Sequence, residues 1–154
     1  MAGQKLDFKE HLPIIVKAVE EKTLQCYKHN ETALCLYTGP CAIGCVLPKD
    51  IQVLLDKSFD IYINKDTRLD EFEMLKKHGF RYVVDSSFSG SSVESFLNVG
   101  MLIVDEDQRY DWIRLQQRHD YVVRAKVNSS VHAVDRTIER FESFVKELQV
   151  KYPQ

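Results

Sequence analysis

Cys35-Leu36-Tyr37-Thr38-Gly39-Pro40-Cys41-Ala42-Ile43-Gly44-Cys45-Val46-Leu47-Pro48 is the stretch on which the fold turns. Short apolar runs flank Thr38-Gly39-Pro40, a strong turn signal. This predicts a strand over Ala33 to Tyr37, a tight turn, and a returning strand over Cys41 to Val46. Three of the four cysteines then sit in one antiparallel hairpin. Pro48 suits the first position of a helix, where its missing N–H costs nothing. That helix is expected to be short, to about Lys57, with Ile51, Leu54 and Leu55 inward.

Around the hairpin the chain reads as helical. Residues 7–28 place Leu12, Ile15, Val16, Val19 and Cys26 at helical spacing, with Pro13 either opening or kinking the helix. Ser58 to Ile63 alternates apolar and polar residues, as a short strand would. Asp66 and Thr67 cap a helix to about His78, with Leu69, Phe72 and Leu75 on its apolar side, and Gly79 stops it. Arg81 to Val84 reads as one more short strand, and Asp85 to Ser92 as a serine-rich loop. Ser91-x-x-Glu94 then forms a capping box before Val93, Phe96 and Leu97. Asp107 to Val123 is predicted helical, with Trp112, Leu115, His119 and Val122 or Val123 on one side. Asn128-Ser129-Ser130 caps the final helix, about 129–150. Its stripe of Val131, Val134, Ile138, Phe141, Val145 and Leu148 is the clearest periodicity in the chain. The expected fold is a single α+β domain over residues 1–154, predominantly helical, with a small antiparallel hairpin or short sheet packed on helices.

The composition narrows the function. Hydrophobic content of 44% and charged content of 29% belong to an ordered globular chain. A formal net charge of -2 gives no general attraction to nucleic acid or anionic lipid. Residues 111–154 do carry eight basic against six acidic side chains, and Arg114, Arg118, Arg124 and Lys126 could make a modest anion patch. No run reaches the roughly 20 apolar residues of a membrane span. The N-terminus leads into a charged amphipathic stretch and not into a signal-peptide core. Four cysteines are too few for a disulfide scaffold, so free thiols in a reducing cytoplasm are expected.

Three kinds of chemistry have candidate residues. A zinc site would draw on Cys26, Cys35, Cys41 and Cys45, with His29 as an alternative fourth ligand. Only Cys41 and Cys45 have a zinc-like spacing, and on a strand they lie about 13 Å apart unless the chain bends at Gly44. Small buried apolar cysteines are the competing and heavier reading. A thiol enzyme would use Cys45, with a pKa lowered by the following helix, and His29 or His119 as base. His119-Asp120 is tempting, but neighbours on a helix point about 100° apart, so Asp120 is not expected to orient His119. An anion or nucleotide site would use Arg114, Arg118 and Ser91, the last from the Ser89–Ser92 segment ahead of a helix. That segment lacks a phosphate-loop lysine. Asp105-Glu106-Asp107 reads as the acidic first turn of a helix and not as a metal cluster.

The run Cys35-Leu36-Tyr37-x-Gly39-Pro40, then Cys41-Ala42-Ile43-Gly44-Cys45 and Leu47-Pro48, resembles a motif of small proteins common in tailed bacteriophages. Those proteins also begin with an amphipathic helix and carry Leu-Gln-x-x-His-Asp, which Leu115, Gln116, His119 and Asp120 match. The likeness covers about half the chain. Thr38 stands where relatives usually have Arg, Pro40 runs straight into Cys41 without their longer basic loop, and residues 58–90 and the last helix are additions. The resemblance implies a phage-type accessory protein in the host cytoplasm and carries no activity with it.

The leading expectation is a protein that acts by binding a protein partner, such as a host factor it inhibits or modulates, with no cofactor. A homodimer through the last helix is a further option, although under three heptads of stripe suits packing against the chain's own core better. The alternative classes are the thiol or zinc protein and the anion binder. The paired motifs also suggest a latch, with His119 or Asp120 hydrogen-bonding backbone amides of the hairpin.

Overall fold

The computed structural model describes residues 3–28, 35–64, 66–70, 73, 92–98, 100–128 and 130–154. Strand β1 (Gln4–Lys5) leads into helix α1 (Phe8–Glu20). Irregular chain with two 3-10 turns, Gln25–Tyr27 and Gly44–Val46, reaches α2 (Lys49–Ile63). Helix α3 (Ser92–Asn98) precedes β2 (Leu102–Ile103), and the long helices α4 (Arg109–Asn128) and α5 (Val131–Lys151) close the chain. The fold is thus the mostly helical α+β domain expected, although the first helix ends at Glu20 and leaves Cys26 in a 3-10 turn, and two features of the sheet and the cysteine-rich stretch differ. The sheet is a parallel pair, Gln4 beside Leu102 and Lys5 beside Ile103, and the cysteine-rich stretch forms turns and no hairpin. Among the described residues none of 35–48 is in a strand.

The ends of α1 and the start of α5 follow from local chemistry. Asp7 is extended and accepts the Lys9 N–H at 3.0 Å, while its own N–H donates to His11 Nδ1 at 3.1 Å. These bonds start α1 at Phe8 and leave Pro13 inside it. At the other end the Lys22 N–H bonds to Val19 and the Thr23 N–H to Ala18, the paired pattern that normally uses glycine. Lys22 takes the left-handed conformation instead, at φ 57. A side chain there costs about 1 kcal/mol. Its contacts offset that cost: Nζ meets Glu142 Oε2 at 2.5 Å and lies over the Tyr27 ring. Ser130 caps α5 by accepting the Ala133 N–H, as the sequence suggested.

Ser58 to Ile63 belongs to α2 and is not a strand. Leu55, Ser58 and Ile61 are buried at three-residue spacing, and the Ser58 hydroxyl is satisfied by the Leu54 carbonyl at 2.9 Å. A small polar residue on the inner face had imitated strand alternation. Most of the helix expected to about His78, the strand over 81–84 and the serine-rich loop up to Ser91 lie outside the described residues, and Ser92, expected to end that loop, opens α3.

The core gathers around Trp112, which is fully buried. Phe8 stacks on it at 3.9 Å between centroids, and Tyr152 stacks on the other face of Phe8 at 4.7 Å. Gln108 holds this stack in place. Its Oε1 accepts the Phe8 N–H and Trp112 Nε1–H, and its Nε2 donates to Asp7. Asp111 accepts the Tyr152 hydroxyl and Lys151 ammonium, tying the end of α5 to the start of α4. Of the predicted α5 stripe, Phe141, Val145 and Leu148 are buried, whereas Val131 stands in solvent.

Candidate functional site

The Gln25–Tyr27 turn packs against α4 and the Gly44–Val46 turn against α1, and the cysteine-rich stretch is stitched from both sides. Gly44 makes the tightest approach within this stretch: a Cβ there would lie 2.3 Å from the Tyr37 carbonyl oxygen, so only glycine fits. The Cys41 Sγ accepts the Gly44 N–H at 3.0 Å, and the Cys45 thiol donates to the Ala42 carbonyl at 3.4 Å. From α2, Asp56 accepts the N–H groups of Tyr37 and Thr38 and the Thr38 hydroxyl, at 2.7, 3.0 and 2.7 Å. Gln52 donates to the carbonyls of Gly44 and Leu47. A turn with these backbone groups held from outside needs no sheet partner.

On the α4 side His119 is fully buried. Its Nε2 accepts the Cys26 N–H at 3.2 Å, which leaves the ring proton on Nδ1, facing Asp120 Oδ1 at 3.1 Å. The same oxygen accepts Gln116 Nε2–H at 2.6 Å. The Cys35 thiol also hydrogen-bonds Asp120, and one ligand-type atom each of Cys35, His119 and Asp120 lies within 4.8 Å of the others. Gln116 Oε1 is buried with no partner among the described residues.

This arrangement corrects several expectations. Asp120 does orient His119, because Nδ1 is the nearer ring nitrogen and the side-chain torsions close the angle between neighbouring Cα–Cβ bonds. The latch exists with other partners than expected: His119 holds the Cys26 amide, and the turn amides of Tyr37 and Thr38 go to Asp56. Cys45 bonds within its own turn, so the Cys45–His119–Asp120 set is not assembled. The four cysteines do not form the converging set; Cys35, His119 and Asp120 do. Cys41 and Cys45 are not spread along a strand, since the Cys45 N–H bonds to the Cys41 carbonyl in a turn. His29 and Ser91 lie outside the described residues.

The electrostatics oppose thiol chemistry. Burial raises all four thiols: Cys26 and Cys45 are pushed up to about 12 from an ordinary 9.0. Cys35 and Cys41 rise too, first through burial and then through the Asp120 charge. A metal fits His119 poorly. Nδ1 would have to present a lone pair toward Asp120 and Cys35, which puts the proton on Nε2 against the Cys26 N–H, donor against donor. The cluster is built as a hydrogen-bonded latch around one carboxylate.

A second feature lies on the outer side of α4. Tyr110, Arg114, Arg118, Tyr121 and Arg124 follow one another at three- and four-residue steps and form one stripe. Tyr110 is 68% exposed and Tyr121 44%. The Arg114 guanidinium lies over the rings of Tyr110 and Phe144, and that of Arg124 over Tyr121. Arg114 and Arg118 also line a groove of about 410 Å³ with Arg140, Ser143, Phe144, Glu139 and Glu147 of α5. The sequence reading found Arg114 and Arg118 but missed Tyr110, Tyr121 and Arg140, whose joint signal was the Tyr/Arg period along α4. It also missed Asp56, for which the sequence offers no local signal.

Comparison with known proteins gave no matching family model, no matching curated protein and no matching solved structure. No described helix is long and apolar enough to cross a membrane.

Proposed function

We propose that the chain is a small phage-type accessory protein that binds a protein partner in the host cytoplasm through the outer face of α4. One observation carries this: the groups with chemistry to offer are committed inside, while exposed tyrosines and half-buried to exposed arginines line the outer face of α4. Every thiol is raised and both nitrogens of His119 are engaged. Exposed Tyr and Arg are the residue types that protein interfaces favour. The motif likeness to tailed-phage proteins supports the accessory role. Thr38, which stands where relatives usually carry Arg, turns its hydroxyl to Asp56, so binding through that turn is not part of the proposal.

The test is site-specific photo-crosslinking in a bacterial host. A benzophenone side chain at Tyr110 or Tyr121 is expected to trap one defined partner, and the same group at Val53 of α2 is not. Equal trapping from all three positions overturns the proposal. So does one thiol that reacts fast and stoichiometrically with an aromatic disulfide reagent at pH 8 in the folded protein, which would favour thiol chemistry.

A further inference from the structure

We infer that the groove between α4 and α5 receives an acidic segment of the partner, with carboxylates seated on Arg114, Arg118 and Arg140; this rests on the binding reading above. Charge complementarity and preorganisation select this occupant. Between Tyr110 and Arg124 the outer stripe of α4 holds three arginines and no carboxylate. The two acids of that helix segment are spoken for elsewhere: Asp111 is buried against Tyr152 and Lys151, and Asp120 serves the latch. Among the described residues, none of Arg114, Arg118, Arg124 and Arg140 makes an ion pair. The three arginines of the groove outnumber its two carboxylates, Glu139 and Glu147, and none of them is held in a direct ion pair among the described residues.

Two arginines of this face, Arg114 in the groove and Arg124 beyond it, are also held. Arg114 lies 5.4 Å from the Tyr110 centroid and 4.8 Å from that of Phe144, and Arg124 lies 4.9 Å from that of Tyr121. A guanidinium resting on a ring keeps its N–H edge free for a carboxylate, and little rotamer freedom is left to lose on binding. Arg114 and Arg118 are one turn apart, about 6 Å along the helix. Carboxylates at i and i+4 of a helical segment, or at i and i+2 of an extended one, match that spacing. Glu139 and Glu147 flank the groove and set its preference. They repel a continuous polyanion, and with the net charge of -2 they favour an acidic protein segment over nucleic acid.

The probe is a fluorescein-labelled peptide of sixteen residues alternating glutamate and alanine, read by fluorescence anisotropy against the full chain. Expected are saturable binding that weakens at least about tenfold when salt is raised to about 0.5 M, and none to the glutamine counterpart. Arg114→Glu with Arg118→Glu should weaken binding at least tenfold. Arg118→Glu with Arg140→Glu, which spares the Arg114–Phe144 contact, should do the same. Lys9→Glu with Lys49→Glu, both exposed and away from the groove, should change it less than twofold. Equal loss in that control, or equal binding of the glutamine peptide, overturns the inference. Tighter binding of a sixteen-nucleotide oligodeoxythymidylate overturns it in favour of nucleic acid, and a salt-sensitive dimer that the peptide does not displace overturns it in favour of a second copy. Failure of the peptide while Tyr110 and Tyr121 still trap a partner sinks this inference alone; failure of both sinks the binding reading as well.

Discussion

Replacing His119 by phenylalanine isolates the latch. The ring keeps its place edge-on to Phe141, 5.8 Å between centroids, while both nitrogens vanish. The Cys26 N–H, on a fully buried residue, then has no acceptor, and orphaning such a group costs about 1–3 kcal/mol. Asp120 loses the Nδ1–H donor, a hydrogen bond to a charged group worth about 1.5–3 kcal/mol. The lower end applies, because the Asp120 side chain is 19% exposed and keeps Gln116. The added apolar surface returns about 1 kcal/mol. The net expectation is a loss of about 1.5–3.5 kcal/mol, read from urea unfolding with an unchanged slope. Asp120→Asn leaves the Cys26 bond intact and still offers an oxygen to Nδ1–H, so it should cost less, about 1 kcal/mol. Nitrogen chemical shifts of His119 should show the proton on Nδ1. A His119→Phe cost below that of Asp120→Asn refutes the reasoning. So does a zinc-dependent rise in the unfolding midpoint that Asp120→Asn abolishes, since ligation of the native state would stabilise it by mass action.

The cysteine-rich turns should be equally sensitive from α2: Asp56→Ala is expected to cost about 2–4 kcal/mol in denaturant unfolding, with Asp56→Asn intermediate, because two amide donors and a hydroxyl lose a charged acceptor. Gly44→Ala should cost at least about 2 kcal/mol by the same assay, since the new methyl meets the Tyr37 carbonyl and the backbone must move. Stability should fall on the alkaline side. A thiol whose folded pKa is raised contributes fully below the ordinary 9.0, and that contribution is lost as pH climbs toward about 12 for Cys26 and Cys45. Thermal midpoints from pH 8 to 11 check this, and a flat profile would contradict it. On the acid side Glu142 has the opposite sign. Burial works against its charge, but the Lys22 and Tyr27 hydrogen bonds outweigh that and lower its pKa below the ordinary 4.5. Its contribution is present above that value and disappears as pH falls through the lowered one, so Glu142→Gln should flatten the acid limb of the same midpoint profile.

The long helices were legible because periodicity and caps agreed. Trp112, Leu115 and His119 on α4 and Phe141, Val145 and Leu148 on α5 are buried as read, and Ser130 caps as read. The cysteine stretch misled because turn residues flanked by apolar residues fit a hairpin, yet the same residues fold as turns when Asp56 and Gln52 supply the partners. Nothing local in the sequence shows that Asp56, eighteen residues beyond Thr38, will do this. The site was half legible. Spacing put Arg114 and Arg118 on one face, but Arg140 joins them only through the packing of α5 on α4. His119 and Asp120 stood out as residue types, while their acceptor and donor roles depend on Cys26, Gln116 and Cys35 arriving from elsewhere.

The ring stack at the centre of the molecule also orders events in time. Tyr152 covers Phe8, and the Gln154 amide donates to the Phe8 carbonyl, so contacts separated by nearly the whole chain finish the interior. Closing so long a loop carries an entropic toll that local helix formation cannot defray. During synthesis Phe8 therefore waits beside an unfinished neighbour until residue 152 has left the ribosome. The α4–α5 hairpin, whose contacts are close in sequence, is expected to form before the beginning of the chain is laid on it.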